Sequence, residues 1–496
     1  MCTVHTIARY IHRPEEVAVS ADEARATRLM LPALACAGIV VSLMQTLVVP
    51  LVHTLPTLLD TSPSAASWVV TSTLLTAAVV TPISGRLGDM IGKRRMILVS
   101  MGFLIAGSVV CALSSSVVPV VVGRSLQGAA TGAIALGISI LRDELPPEKV
   151  ASAISVMSST MGVGGAIGLP LAAWTAQNYS WHALFWAAAA LGCLVVAAVV
   201  LAVPESSVRR PGRFDLPGAI GLAVALVLLL LALTQGAGWG WTSALTLGLA
   251  AASLVVFVIW GIVELRTPQP LVDLRVSASR TVLLTNAASV LVGFAMYATA
   301  LTIPQLLQAP PETGYGLGQS MVTAGLVMAP SGIVMMLLSP VSARITGLRG
   351  PRTTLVVGIV VIAAGYLVGA VAMQHIWQLV VVSTVIGAGI GIAYAAMPAL
   401  IMSAVPLHET GAANGLNSLM RLVGTSLAAA VMTVVLTGAT MQLGTTEVPT
   451  EGAFVATFLI GGAAALLALV VAFFIPRRAV SRDAAADKTR EPSAVR

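Results

Sequence analysis

The chain has 496 residues, of which 57% are hydrophobic and only 9% are charged. A soluble globular domain carries roughly a quarter charged residues, so this composition excludes a conventional water-soluble enzyme. The formal net charge is +7, but the basic residues form short clusters between apolar runs, which indicates membrane topology and not nucleic-acid binding.

The chain opens on a polar tail, residues 1–28, without the apolar core or cleavage site of a signal peptide, and we interpret this tail as cytoplasmic. Apolar runs of about twenty residues follow, the helix length that crosses roughly 30 Å of hydrocarbon. Helix is the expected state because an open sheet leaves backbone groups unpaired in lipid. Fourteen spans are predicted, at residues 30–52, 66–84, 96–115, 117–141, 151–173, 183–203, 215–235, 242–263, 281–307, 320–342, 353–373, 377–402, 411–437 and 454–475. A second cytoplasmic tail is predicted at residues 477–496.

The basic residues lie on one side of this predicted topology. Of the 27 Lys and Arg residues, only Arg124 and Arg421 fall well inside a predicted span. The others fall in or beside connections on the same side as both tails. The opposite connections carry four acidic residues: Asp60, Glu312, Glu447 and Glu451. The sequence therefore predicts a multi-pass membrane protein with both termini in the cytoplasm.

A stretch at the end of the second span recurs at the end of the tenth. Five residues match at an unbroken offset of 258: Pro82, Ser84, Arg86, Gly92 and Arg94 pair with Pro340, Ser342, Arg344, Gly350 and Arg352. Two further stretches match in the same order at offsets of 259 and 260, which indicates duplication of a six-helix unit. We therefore predict an all-α polytopic membrane protein with six-helix bundles at 29–204 and 266–476 and two additional helices at 205–265.

Between the second and third spans lies the segment 85–95, Gly-Arg-Leu-Gly-Asp-Met-Ile-Gly-Lys-Arg-Arg, named here the latch segment. Its glycines permit a tight turn, Asp89 supplies one fixed negative charge, and Lys93, Arg94 and Arg95 are expected to face anionic lipid headgroups. The segment is similar to the signature loop of the major facilitator superfamily. Within that superfamily the chain resembles the fourteen-helix drug:proton antiporter group of bacterial multidrug and antibiotic exporters.

The resemblance implies the major facilitator fold, and it implies that the latch segment gates the contact between the two halves. The residues given this role are Gly85, Arg86, Gly88, Asp89, Gly92, Lys93 and Arg94. The group commonly has a basic residue after the aspartate, where this chain has Met90. A loop that only sets topology is the alternative interpretation.

The fourth span contains Gly123-Arg-Ser-Leu-Gln-Gly128, which is similar to the Arg-x-x-Gln-Gly motif of the superfamily. A buried arginine costs about 3 to well over 10 kcal/mol in lipid, so it normally marks a polar pathway. The resemblance implies proton coupling through Arg124, Gln127 and Gly128. The alternative is that Arg124 extends its head group to the membrane interface.

The fifth span carries several glycines before a proline, similar to the antiporter motif that is associated with exporters. Small residues let helix backbones approach closely, and proline weakens the local hydrogen-bond ladder. The resemblance implies an antiporter helix at Gly164, Gly168 and Pro170. Glycine packing without directional meaning is the alternative.

The first span departs from the group, which often carries an aspartate where this chain has Met44 in Leu43-Met-Gln-Thr46. No predicted span has an acidic residue near its middle. Coupling is then expected to use Asp89, Asp60, the Arg124 region or His53, since imidazole titrates near pH 6.5, about the working range.

A path for amphipathic molecules is expected to be mostly apolar with a few polar anchors. The predicted path residues are Gln45, Trp68, Met157, Met161, Asn286, Tyr297, Asn414, Asn417 and Arg421. The last three share one helix face by their i, i+3, i+7 spacing, although a polar clamp between helices would have the same spacing. Arg421 matches Met161 at the offset of 260, and this extra charge raises the hypothesis of anionic or carbonyl-rich, polyketide-like substrates.

Together with these features, the resemblance implies a secondary active transporter of the bacterial cytoplasmic (inner) membrane that exports drug-like or antibiotic small molecules by proton antiport with alternating access. The expected partners are a small amphipathic substrate, protons and the lipid bilayer, and the expected state is a monomer with no cofactor or metal. The six histidines are scattered and the four cysteines lack metal-like spacing, so we do not expect the chain to be an enzyme. The alternative is a major-facilitator importer or exporter of a nutrient or metabolite that is not driven by proton antiport.

Overall fold

The computed structural model describes residues 21–48, 51, 54–206, 208–209, 212–443 and 446–476. The first eight helices, in chain order, are α1 (Ala21–Thr46), α2 (Leu55–Leu58), α3 (Pro63–Ile91), α4 (Lys93–Leu113), α5 (Val117–Gly128), α6 (Gly132–Glu144), α7 (Pro147–Asn178) and α8 (His182–Ala202). A 3-10 turn, Ala129–Thr131, joins α5 to α6 within the fourth span.

The rest of the described chain is also helical except for one hairpin. Its helices are α9 (Leu216–Trp239), α10 (Ala244–Arg266), α11 (Leu274–Ser277), α12 (Arg280–Gln308), α13 (Met321–Leu337), α14 (Ser339–Arg349), α15 (Pro351–Gly369), α16 (Ile376–Ala404), α17 (Thr410–Gly438) and α18 (Glu451–Phe473). The antiparallel strands β1 (Thr440–Leu443) and β2 (Thr446–Pro449) join α17 to α18.

Within the described residues, thirteen helices are long and apolar enough to cross a bilayer, and α13 and α14 form a fourteenth span bent by 40°. The bend lies beside Pro340, which has no N–H to donate to the preceding turn and so interrupts the ladder. The predicted count of fourteen is confirmed. The first helix ends at Thr46, before the predicted end of its span at residue 52, and α3 extends beyond its predicted end to Ile91.

The buried apolar side chains form two large clusters. One gathers residues of α1 to α8 together with Met402, and the other gathers residues of α12, α13 and α15 to α18. Met161 packs against both, so α7 lies where the two clusters meet. This arrangement fits two bundles, while the limits predicted for them in the sequence stay predictions.

The internal repeat has a counterpart in hydrogen bonding. The Nη2 of Arg94 donates to the carbonyl of Val200 at 2.6 Å, and the Nη2 of Arg352 donates to the carbonyl of Phe473, also at 2.6 Å. Arg94 and Arg352 are partners at the offset of 258, and each ties the start of one helix to the end of the last helix in its cluster.

The additional helices α9 and α10 pack against each other, and α9 also contacts α3 and α17. The Nε1 of Trp260 donates to the Gly218 carbonyl at 2.9 Å, and the Oγ of Ser253 donates to the Ala225 carbonyl at 2.9 Å. Elsewhere α10 exposes apolar side chains such as Leu254 and Val258, as a helix facing lipid does.

Two buried carboxyl groups fasten the connection after α10 to this pair. Asp215 accepts from the backbone N–H of Leu271, and Glu264 accepts from that of Val272 at 2.6 Å. A Cβ added at Gly218 would clash with an oxygen of each carboxyl group, so the two groups lie together. The remaining Glu264 oxygen has no hydrogen-bond donor among the described residues.

Two substitutions of Glu264 test how much these contacts stabilise the protein. We expect Glu264→Ala to lower stability by about 1–3 kcal/mol, because the buried Val272 N–H loses its acceptor. Glu264→Gln is expected to be nearly neutral, since its amide oxygen still accepts from Val272 and its amide N–H can donate to the neighbouring Asp215 carboxyl group. Thermal unfolding of the detergent-solubilised variants measures both. Equal losses in the two variants would contradict a stabilising role for the hydrogen bond from Val272.

Candidate functional site

We call the end of the bundle that carries the latch segment the basic end, and the end that carries β1 and β2 the hairpin end. At the hairpin end the Tyr315 hydroxyl donates to the Pro449 carbonyl, which ties the connection after α12 to β2. Burial raises the pKa of Tyr315, so this phenol remains a donor at neutral pH.

The latch segment turns at Gly92 and touches α17 at Gly85. Gly92 has φ +124°, a backbone conformation that strains residues with a Cβ. A Cβ on Gly85 would clash with the Gly411 carbonyl, so α3 and α17 meet backbone to backbone. Gly88 faces Leu136 of α6, and Arg86 is buried. The sequence therefore permits close contact between the two clusters at this end.

Asp89 joins α3 to the start of α17. Its Oδ1 accepts from the backbone N–H of Gly411 at 3.1 Å, and its Oδ2 accepts from that of Ala412 at 2.8 Å. The first N–H groups of a helix have no partner within it and carry partial positive charge. A carboxylate is therefore a strong ligand for this helix terminus, and Asp89 is fully buried in that contact.

Lys93 is also fully buried. Its Nζ lies 2.5 Å from Oδ2 of Asp143 and 3.5 Å from Oδ1 of Asp89, and it donates to the Thr410 hydroxyl at 3.2 Å. The expectation that Lys93 faces lipid headgroups is wrong, because carboxylates neutralise its ammonium inside the protein. Of the three neighbouring basic residues, Arg95 is the exposed one, with 66% of its side chain accessible.

Arg124 lies inside the protein with partners on several helices. Its Nη1 donates to the Met44 carbonyl at 2.9 Å and to Oε1 of Gln127 at 2.7 Å, and its Nε donates to the Val69 carbonyl at 3.3 Å. Gln127 in turn donates to the Ser108 hydroxyl at 2.8 Å. These neutral groups link α1, α3, α4 and α5, and in the described part of the chain no carboxylate forms an ion pair with Arg124.

The neighbouring motif residue Gly128 packs directly against the backbone of Thr73 on α3. This close approach holds α5 against α3 beside Arg124. His53, the other residue predicted for proton coupling, lies outside the described residues.

The glycine segment of α7 lies between α1 and α13. Gly164 packs against Ser42 and Gly168 against Thr46, both on α1. On the other side Pro170 packs against Gly325 of α13. Small residues thus bring α7 close to one helix of each cluster, as association in lipid favours.

The predicted path residues occupy different environments. Gln45 and Trp68 are half-buried on α1 and α3, as is Tyr297 on α12. Met157 is fully buried and its methyl group packs near Gly137 on α6. Met161 is half-buried where the two clusters meet.

The three polar residues of α17 do not share one partner. Asn414 approaches Ser139 of α6, with 3.4 Å between its Nδ2 and the hydroxyl. The Nδ2 of Asn417 donates to Oδ1 of Asn286 at 2.9 Å, and the Nη1 of Arg421 donates to Oδ1 of Asn417 at 2.8 Å. Asn286, Asn417 and Arg421 therefore form one polar chain between α12 and α17.

The family model of the Major Facilitator Superfamily matches residues 34–305 and 285–495 of this sequence. The chain belongs to the major facilitator superfamily. This major facilitator transporter is 26% identical over 375 residues to multidrug resistance protein Stp of Mycobacterium tuberculosis, covering 74% of this chain and 68% of the relative. It is also 26% identical over 380 residues to multidrug resistance protein 3 of Bacillus subtilis, covering 75% of this chain and 72% of the relative.

A third relative of this transporter is the probable multidrug resistance protein EmrY of Escherichia coli, 28% identical over 300 residues, or 59% of this chain and 57% of that one. The solved structure of the human organic anion transporter MFSD10 superimposes with a TM-score of 0.64 at 14% identity, covering 90% of this chain and 99% of the other. The major facilitator fold and the resemblance to the multidrug group, both predicted from sequence motifs, are confirmed.

The structure of this transporter also adds residues that the motifs did not indicate. Asp143, Thr410 and Tyr394 contact Lys93 or Arg421, and Ser108 and Ser289 accept from amides of the two polar chains. Asp143 is one of several acidic residues at the ends of predicted spans, so the sequence does not distinguish it from the others. The other four resemble ordinary span residues, and nothing in the sequence distinguishes them.

Proposed function

We propose that this transporter exports small amphipathic, drug-like molecules across the bacterial cytoplasmic membrane by proton antiport with alternating access, acting as a monomer. The observation that carries the proposal is the glycine segment of α7, which lies between α1 and α13 where a packing change would alter the contact between clusters. The kinship with multidrug resistance proteins supports a drug-like substrate.

In this mechanism the latch segment stabilises one of the two alternating states. The Asp89 carboxylate binds the N-terminal N–H groups of α17, and Lys93 joins Asp89, Asp143 and Thr410. Opening the basic end requires the bonds from Asp89 and Lys93 to the start of α17 to break, because these bonds connect the two clusters. The proton path would lead through the Arg124 chain, which connects α1 with three neighbouring helices.

The neutral surroundings of Arg124 favour a second candidate. Its partners are two carbonyls and one amide, none of which titrates in the physiological range. A major facilitator that moves a nutrient or metabolite without proton antiport would have the same fold and the same polar chain.

Efflux from cells discriminates the two proposals. In a bacterial host whose own pumps are deleted, the expressed protein is expected to lower drug susceptibility and dye accumulation, and a protonophore is expected to abolish both effects. Efflux that persists with the protonophore supports the second candidate. Substrate accumulation instead of efflux would overturn export.

Orientation is tested by cysteine labelling after the native cysteines are replaced. We propose that the basic end faces the cytoplasm, because Lys and Arg concentrate on the cytoplasmic side of membrane proteins. Arg349 and Glu447 are both exposed, at the basic end and the hairpin end respectively. In intact cells an impermeant reagent is expected to modify Glu447→Cys and to leave Arg349→Cys unmodified. The reverse pattern would overturn the orientation.

A further inference from the structure

Arg421 is a buried cation that lacks a counter-charge. Its side chain lies on α17 with only 6% of the residue exposed. Its Nη1 donates to Asn417 and its Nη2 donates to the Ser418 hydroxyl, both at 2.8 Å and both on the same helix. Among the described residues, the Nε has no acceptor and no Asp or Glu forms an ion pair with the guanidinium.

Arg124, the other arginine well inside a span, does not share this lack of an acceptor. Arg124 uses its donors on carbonyls of two other helices and leaves none of its buried nitrogens unpaired in the described chain. In the described chain, Arg421 has no such hydrogen bond to a carbonyl of α12 or α16. The residue that matches Arg421 in the first half is the uncharged Met161, so the corresponding helix α7 forms without a cation at this position.

The surroundings hold the guanidinium in one orientation. Asn417 donates from its Nδ2 to Asn286 and to Ser289, at 2.9 and 2.8 Å, which turns its Oδ1 toward Arg421. The ring centre of Tyr394 lies 5.1 Å from the guanidinium carbon, within the range of a cation–π contact. The planar group is therefore positioned before any ligand arrives, which lowers the entropy lost on binding.

We propose that Arg421 binds the anionic group, a carboxylate or phenolate, of an amphipathic aromatic molecule that the transporter carries. This inference rests on the proposed function and adds the substrate class. Guanidinium is the side-chain cation best suited to carboxylate, because its parallel N–H groups match the two oxygens and it is weakly hydrated. The buried charge, costly by itself in a membrane protein, would be neutralised only when the substrate is bound.

Binding to the purified transporter tests the proposal independently of transport direction or coupling. The probes are 9-anthracenecarboxylate and its neutral analogue 9-anthracenecarboxamide, which differ chiefly in charge, and binding is followed by fluorescence anisotropy. Charged hydrogen bonds predict that the wild type binds the carboxylate about 10- to 100-fold more tightly than the carboxamide. A wild type without this preference overturns the proposal, whatever the efflux assays show.

Variants assign the preference to this residue. Arg421→Met introduces the residue of the first half and is expected to bind both probes equally, while Arg421→Lys keeps part of the preference. Arg421→Gln retains hydrogen bonding and removes the charge, and it decides the result if the methionine variant unfolds. Arg349→Met removes an exposed charge from the same half and should bind as wild type does. A preference that persists in Arg421→Met or Arg421→Gln would overturn the assignment.

Discussion

Asp89→Asn is expected to abolish transport while expression and membrane insertion stay normal. The two oxygens of Asp89 accept from Gly411 and Ala412, and Lys93 lies beside them. Asparagine has nearly the same volume, but its NH₂ group cannot accept, so one helix N–H loses its partner and Lys93 loses a counter-charge. Hydrogen bonds to charged groups contribute about 1.5–3 kcal/mol each, enough to change the balance between two states more than tenfold.

The measurement is dye efflux from cells, normalised to the amount of protein in the membrane fraction. Glu148→Gln is the matched control, because Glu148 is exposed in the first turn of α7 at the same end and the change also removes one negative charge. Efflux by Asp89→Asn close to that of the control would show that the latch segment only sets topology.

The number and order of the spans were predictable because lipid demands about twenty apolar residues for each crossing. The ends of the helices were less predictable, because burial in the protein lets apolar residues continue past the end of α1 and lets a charged residue lie inside α3. Leu47 and Val48 lie beyond the end of α1 yet stay buried, so the apolar run continues past the end of the helix. Asp89 lies inside α3 although it is charged, because α17 covers it.

The sequence indicated one side of each polar contact and missed the other. Asp89 was predictable from its motif, but its partners are backbone N–H groups, which every residue except proline has. Lys93 pairs with Asp143 fifty residues away, a contact that depends on how α4 packs against α6. The Tyr394 ring beside Arg421 likewise follows from the packing of α16, which no local pattern specifies.

Arg124→Ala is expected to eliminate proton-driven efflux. Alanine would leave the Met44 and Val69 carbonyls and the Gln127 amide without their shared donor, and the links from α5 to α1 and α3 would be lost. Arginine itself does not release a proton in this range, because its guanidinium group stays charged in proteins. Its role would be to control a neighbouring acid or water. Ser108→Ala, which removes only the partner of Gln127, is expected to reduce efflux less.

Met44→Asp makes the complementary change and is expected to be tolerated. The Met44 carbonyl lies 2.9 Å from Nη1 of Arg124, so a carboxylate at this position would be introduced close to an unneutralised guanidinium. An acid there would gain and lose a proton as the surroundings change, and transport should depend more steeply on pH than in the wild type. Met44→Asn, of similar size but without a titrating group, is the control and should leave the pH dependence unchanged.

Proteoliposomes with an imposed pH gradient compare these variants directly, because both internal and external pH are known. Wild type and Met44→Asp are expected to move substrate only while the gradient lasts, and Arg124→Ala is expected to match empty liposomes. Loss in Arg124→Ala with a gradient-dependent wild type would place coupling at this polar chain. If the wild type moves substrate equally well after the gradient is collapsed, proton antiport fails, and the neutral partners of Arg124 would then describe a transporter driven by its substrate gradient alone.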